Sequence, residues 1–196
     1  PFDGQRLGDE DLDRLLEYRN IIKGLSLAKS GVTDKGVAII SSLDLHSINL
    51  ELLYIGDEAG KSIAKMKNLE YLTLNNTEFG DKGLAYLDNP DLVYIKLDFC
   101  KRITDKGLGI IARKWPDLVA LDVSETSTTA EGMAELAKLH SLKSLNANSC
   151  AIPDSLVDAL KQSGVKEVSI MNAKISSSSL QKLLDIPTLE EINAMG

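Results

Sequence analysis

The sequence predicts an α/β solenoid: a curved, right-handed stack with short parallel strands lining its concave side and helices covering its convex side. Three observations predict it. First, an apolar pattern of the form Leu-x-x-Leu-x-Leu starts, with conservative exchanges, at Ile22, Leu45, Leu69, Leu92, Leu118, Leu142, Val165 and Leu189, in steps of 23, 24, 23, 26, 24, 23 and 24 residues. Regular self-similarity at this period is the signature of a repeat architecture. Second, each period changes rhythm part-way: Leu69-x-x-Leu72-x-Leu74 alternates as a strand does, whereas Gly80-Asp-Lys-Gly-Leu84-Ala-Tyr-Leu87 has helical spacing. Third, Thr33-Asp34, Gly80-Asp81, Thr104-Asp105 and Pro153-Asp154 stand just before the helical halves. A short side-chain oxygen there accepts from the free amides of the first turn, so these carboxylates read as structural rather than catalytic. Parallel strands joined by helices must place the helices on one side of the stack.

Composition agrees with a folded chain. In 196 residues, 43% are hydrophobic and 26% charged, enough for a sizeable core. The formal charge of -7 weighs against a nucleic-acid partner, which needs a concentrated basic face. No apolar run reaches the length of a membrane span, and Pro1-Phe2-Asp3-Gly4 does not open a secretion signal.

The chain reads as a single domain over residues 1–196. Leu7-Gly-Asp-Glu-Asp-Leu12 aligns with Val32-Thr-Asp-Lys-Gly-Val37, which makes residues 1–20 an amino-terminal helical half-repeat or cap. Residues 21–188 hold seven repeats, and residues 189–196 a final strand with no helix after it. A solenoid end without a polar cap exposes core, so the expectation is either that the sequence is an excerpt of a longer protein or that its last strand meets a partner or a second copy, by self-association or in a larger assembly. Ser176 to Ser179 falls where a repeat turns into its helix and reads as a solvated, cap-rich turn.

The tracts Val32-Thr-Asp-Lys-Gly-Val37, Phe79-Gly-Asp-Lys-Gly-Leu84 and Ile103-Thr-Asp-Lys-Gly-Leu108 resemble the Thr-Asp-x-Gly-Leu signature of leucine-rich repeat proteins. The repeat starting at Leu92 is similar to the cysteine-containing subtype found in F-box substrate receptors. Cys100 stands at that subtype's cysteine position, and Ile110-Ile-Ala-Arg-Lys-Trp-Pro-Asp-Leu118 is similar to its helix end, with Trp115 replacing a second cysteine. The other repeats are shorter and more similar to bacterial or effector arrays. The resemblance implies a leucine-rich repeat solenoid and a role in protein recognition, and names no ligand.

Catalytic chemistry finds little support. Cys100 and Cys150 both fall at the ninth, inward-turning position of their repeats, two repeats apart. Strand spacing puts them on the order of 10 Å apart, too far for a disulfide, and no metal site is expected. His46 and His140 lie nearly four repeats apart, which removes a histidine-based triad or a two-histidine metal site. Phosphate-cradling glycine motifs are absent, so no cofactor is expected. Asn75-Asn76-Thr77 is a formal glycosylation sequon, but Thr77 should face inward. Asp98 and Asp122 could be considered as a glycosidase couple, yet that chemistry needs a water-excluding cleft that raises one pKa, and an open sheet face is expected to supply neither.

The concave surface remains. Position three of successive repeats gives a row containing Gly24, Ser47, Tyr71, Tyr94, Ala120, Ser144, Glu167 and Glu191, and position five a row containing Ser26, Asn49, Thr73, Lys96, Asp122, Asn146, Ser169 and Asn193. Position seven includes Glu51, Asn75, Asp98 and Met195, and position eight Leu52, Asn76, Phe99, Glu125 and Gly196. Tyr71, Tyr94 and Phe99, with Leu52 on the rim, form the expected anchor cluster, because large rigid side chains carry most interface energy. Asn75, Lys96, Asp98, Asp122 and Glu125 complete the candidate partner-binding set, with Lys96 and Asp122 expected to pair. Glu51, Asp98, Asp122 and Glu125 against Lys96 make the face acidic and favour a protein partner carrying basic groups. The function expected is non-catalytic recognition through the concave face. The alternatives are a substrate-selecting or accessory segment of a larger enzyme, as in a ubiquitin-ligase receptor, and a structural subunit binding through its ends.

Overall fold

A computed structural model describes residues 7–194. Its main sheet has eight parallel strands: β1 (Gly24–Ser26), β2 (Ser47–Asn49), β3 (Tyr71–Thr73), β4 (Tyr94–Lys96), β5 (Ala120–Asp122), β6 (Ser144–Asn146), β8 (Glu167–Ser169) and β10 (Glu191–Asn193). Two further short strands, β7 (Ala151–Ile152) and β9 (Lys174–Ile175), pair with each other outside it. Between the main strands run α1 (Asp34–Ile39), α2 (Glu58–Ile63), α3 (Asp81–Tyr86), α4 (Asp105–Lys114), α5 (Ala130–Glu135), α6 (Asp154–Ser163) and α7 (Ser177–Leu184). This is the α/β solenoid expected. The amino-terminal helical half is a 3-10 helix over Asp9–Tyr18 rather than an α-helix.

Strand register follows the repeat alignment residue for residue. Tyr71 pairs with Ser47 on one side and Tyr94 on the other, and Lys96 pairs with Thr73 and Asp122. Positions one, four and six point inward: Leu69, Leu72 and Leu74 are fully buried, as are Ile95 and Leu97. Leu50, Leu84, Leu108, Leu145 and Leu156 extend one continuous core along the stack. At position nine, the Cys100 thiol donates to the Leu74 carbonyl at 3.1 Å and Thr77 Oγ1 donates to the same oxygen at 2.7 Å. Burial pushes both cysteine thiols up from their ordinary value, which disfavours thiolate chemistry.

The helix starts are wired between repeats. Thr33, Thr104 and Thr129 cap their own helices, accepting from the amides of Lys35, Lys106 and Glu131. The aspartates instead reach forward to the next repeat. Asp9 accepts from the Thr33 amide (2.8 Å) and hydroxyl (2.6 Å), Asp34 from the amides of Gly56 and Ala59 (both 3.0 Å), and Asp57 from Gly80 and Gly83 (both 2.9 Å). Asp81 accepts from the Thr104 amide and hydroxyl, and Asp105 from those of Thr129. The glycine of the motif makes room for this reach: a Cβ on Gly107 would collide with Asp81 Oδ1, and one on Gly132 with Asp105 Oδ1.

The ladder skips one step, and both of its sides change together. Ala130 stands where the next aspartate belongs, and Pro153, which would receive it, has no amide hydrogen to donate. With no carboxylate to accommodate, buried Leu156 takes the place of glycine. The ladder resumes at Asp154, which accepts from the hydroxyl of buried Ser179.

Beyond each strand the backbone turns through the left-handed region at position eight, at Lys29, Leu52, Asn76, Phe99, Glu125, Ser149 and Asn172, with φ between 54° and 62°. This costs a non-glycine residue about 1–2 kcal/mol. From Lys29 to Ser149 the turn is held because the amide donates to the position-seven carbonyl of the next repeat, as Leu52 does to Asn75 (2.9 Å) and Phe99 to Ser124 (3.0 Å). Met195 and Gly196, assigned by the repeat alignment to these outer rows, lie outside the described residues.

Replacing Asp81 with alanine leaves the Thr104 amide and hydroxyl without their acceptor, and is expected to lower unfolding free energy by about 1–3 kcal/mol in urea denaturation. Ala130→Asp, facing an imino acid and a leucine, is expected to bring no gain. A stabilising Ala130→Asp or a neutral Asp81→Ala would contradict the ladder.

Candidate functional site

Tyr71 and Tyr94 stand side by side on the open sheet face because position three of adjacent strands is in register. Their ring centroids are 5.8 Å apart with planes tilted by 42°, a favourable geometry for aromatic pairs. Small residues lie on both flanks of the row, Gly24 and Ser47 before the pair and Ala120 and Ser144 after it. The pair therefore forms a ridge between two shallow grooves. Tyr71 borders one of about 350 Å3 with Ser26, Asn49 and Thr73; Tyr94 borders the other, of about 360 Å3, with Lys96, Asp122, Asn146 and Glu167.

The structure divides the expected anchor cluster. Leu52 and Phe99 sit in the left-handed turns past the strand ends and line a separate rim groove with Tyr54, Asn76 and Lys101. Tyr54 was not anticipated. It follows the strand-and-turn motif at position ten, outside every row that the pattern Leu-x-x-Leu-x-Leu marks, yet it is the most exposed large hydrophobic residue among the described residues, at 82%.

The expected Lys96–Asp122 ion pair does not form. Asp122 is nearly buried because its carboxylate closes the local turn: Oδ1 accepts from the Ser124 amide (3.0 Å) and Oδ2 from Asn146 Nδ2 (3.2 Å). The Lys96 stem lies instead along Tyr94, with Nζ 5.5 Å from the ring centroid. Its ammonium is held above the ordinary lysine range first by Tyr94, then by Asp122 and Glu51. Asn75 is likewise committed to structure, accepting from the Asp98 amide at 3.1 Å. Glu125 accepts from Ser149 Oγ (2.6 Å) and Lys101 (3.1 Å), which hold its carboxyl below the usual range.

Asp98 departs from the expectation that an open face leaves its carboxylates unperturbed. Partial burial, then the charges of Asp122 and Glu125, push it up to about 6. The group is half-buried beside Phe99 on an open surface, and its acidic neighbour Asp122 is taken up in turn formation. His46 Nδ1 lies 3.0 Å from Glu70 Oε1 on the surface, and His140 is exposed. Among the described residues, no group of three or more metal-ligating side chains comes together, and no helix is long and apolar enough to cross a membrane.

With this geometry established, comparison with known proteins gives one consistent class. The family model described as leucine-rich repeat matches residues 65–87, which span the β3 and α3 repeat. Internalin C2 from Listeria monocytogenes has a similar structure at a TM-score of 0.66, with 20% identity over 99% of this chain and 78% of its own. The Rad7 and Elc1 complex of yeast contains a chain similar over 82% of this one and 44% of its own, at a TM-score of 0.64 and 15% identity. The chain has the leucine-rich repeat fold, and its β3 and α3 repeat matches the family model.

The Asp98 carboxyl ties stability to pH. Its folded-state value of about 6 exceeds the ordinary 3.8, so its contribution to stability is full below about 3.8 and is lost as pH rises through about 6. Asp98→Asn is expected to flatten the decline in stability across that window, read by denaturant unfolding at a series of pH values. Equal pH slopes for wild type and variant would show that Asp98 is not the group responsible.

Proposed function

We propose that this protein is a non-catalytic recognition module that binds a protein partner through its concave face. The observation that carries the reading is the Tyr71–Tyr94 ridge, aromatic and solvent-facing, with a shallow groove on either side. Rigid aromatic side chains supply large contact area at low entropic cost and recur as interface anchors. Neither ring is needed for the sheet, because Ser47 and Ser144 occupy the same row with the same backbone pairing. The surrounding acids Glu51, Asp98, Asp122 and Glu125 favour a partner with basic groups, drawn in by complementary charge. A second reading, an accessory segment within a larger assembly such as a substrate-selecting receptor, is favoured by the structural similarity to a chain from the Rad7 and Elc1 complex. The two readings share the same surface.

Tyr71→Ser/Tyr94→Ser should fold with an unchanged circular dichroism spectrum and lose the partner that wild type captures from lysate, with a drop in affinity of about tenfold or more. Binding of a basic partner should also weaken as pH falls below about 6, where Asp98 takes up a proton and loses its charge. An unchanged set of captured proteins would move the interface away from the concave face.

A further inference from the structure

Leu52 and Phe99 both occupy the left-handed turn, each with φ of 58°. Glycine and asparagine take this conformation most readily, and larger side chains take it at a cost. The chain contains the comfortable solution in the same row, since Asn76 lies between the two and Asn172 lies further along, both with φ of 54°. Burial does not compensate: Leu52 is 38% and Phe99 46% exposed. Two large apolar side chains are thus held in a disfavoured backbone conformation and also left in water, a combination that points to function rather than folding.

They share a groove of about 340 Å3 with Tyr54, Asn76, Glu78 and Lys101. Its two charged side chains differ in their commitments. The Lys101 ammonium pairs with Glu125 at 3.1 Å and stands 5.0 Å over the Phe99 ring, so this aromatic face already accepts a cation. Among the described residues, no cation lies within ion-pair distance of the Glu78 carboxylate. Glu51 and Asp98 immediately precede Leu52 and Phe99 in the chain and add to the negative charge of the rim.

We propose that this rim groove is a second docking site, which takes an arginine-bearing segment of a protein partner. The arginine stem lies against Leu52 and Tyr54, and its planar guanidinium reaches Glu78 while stacking on the aromatic wall. Guanidinium suits the site better than ammonium, because it both stacks on rings and pairs with a carboxylate through a fixed fork of donors. The site does not depend on the concave-face reading: its lining shares no residue with the grooves beside Tyr71 and Tyr94.

The test is an amide NMR titration of the isotope-labelled chain with acetyl-leucyl-arginine amide, with acetyl-leucyl-glutamate amide as the control. Saturable shifts centred on Leu52, Tyr54, Asn76, Glu78 and Phe99, weakened by about threefold or more in Glu78→Gln and absent with the glutamate probe, are expected. Shifts gathered instead around Tyr71 and Tyr94 would overturn the rim site while leaving concave recognition intact. Shifts scattered over the acidic surface, or no saturation, would also overturn it. Thermal unfolding checks the premise independently: Leu52→Asn and Phe99→Asn should unfold at or above the wild-type temperature. A clear fall in either would show that these side chains are kept for packing, and the inference would fail.

Discussion

The forward reach of one aspartate to the next repeat is the interaction on which this structure is organised. A repeat of strand and short helix cannot close its own core, so its stability resides in the contact with its neighbours. Most of that contact is apolar and non-directional and would tolerate sliding. The carboxylates of Asp9, Asp34, Asp57, Asp81 and Asp105 are directional: each accepts from the amide groups that open the following helical half. They satisfy donors that a helix start leaves unpaired and set where the next helix begins relative to the last. Gly36, Gly107 and Gly132 belong to the same device, because each clears the space into which the preceding carboxylate projects. Ala130, Pro153 and Leu156 make the case from the other direction, since acceptor, donor and glycine disappear at the same step.

A second ladder, of backbone bonds between strands, continues past the strand ends and holds the position-eight turns in the left-handed region. This separates the outer surface into a sheet face and a rim. Side chains on both are outside the core, so their identity is free of packing demands, and the aromatic residues of repeats two to four stand out for that reason. Tyr71 and Tyr94 form a ridge on the face, while Leu52, Tyr54 and Phe99 edge a groove on the rim. An outer surface built this way changes without disturbing the stack beneath it, consistent with one architecture serving unrelated ligands.

Charge on this surface is shaped by the turns as much as by the count of acids. Asp122 and Glu125 are held in hydrogen bonds that keep them in place, and Asp98, half-buried beside them, retains its proton to about pH 6. A basic partner would discharge that tension by neutralising the cluster, so its binding and the ionisation of Asp98 are linked.

Periodicity made most of the fold legible in the sequence. A period near 24 residues, with a strand rhythm followed by a helical one, determined the architecture, the strand register and the burial of positions one, four and six, because these depend on the chain's local rhythm repeated in space. The rows of outward residues follow from the same arithmetic, and Tyr71 beside Tyr94 was legible for that reason. What the pattern did not contain is the choice of partner between repeats. The aspartates read as caps of their own helices, but the path of the loops carries them to the next. Lys96 and Asp122 are neighbours in register, yet local turn closure and an aromatic face claim them first. The left-handed turn at position eight, the separation of Phe99 from the tyrosines, the exposure of Tyr54 and the raised carboxyl of Asp98 likewise arise only when successive repeats are stacked. Register is set by spacing along the chain, whereas side-chain commitment is set by competition among donors, acceptors and apolar faces that only the folded stack brings together.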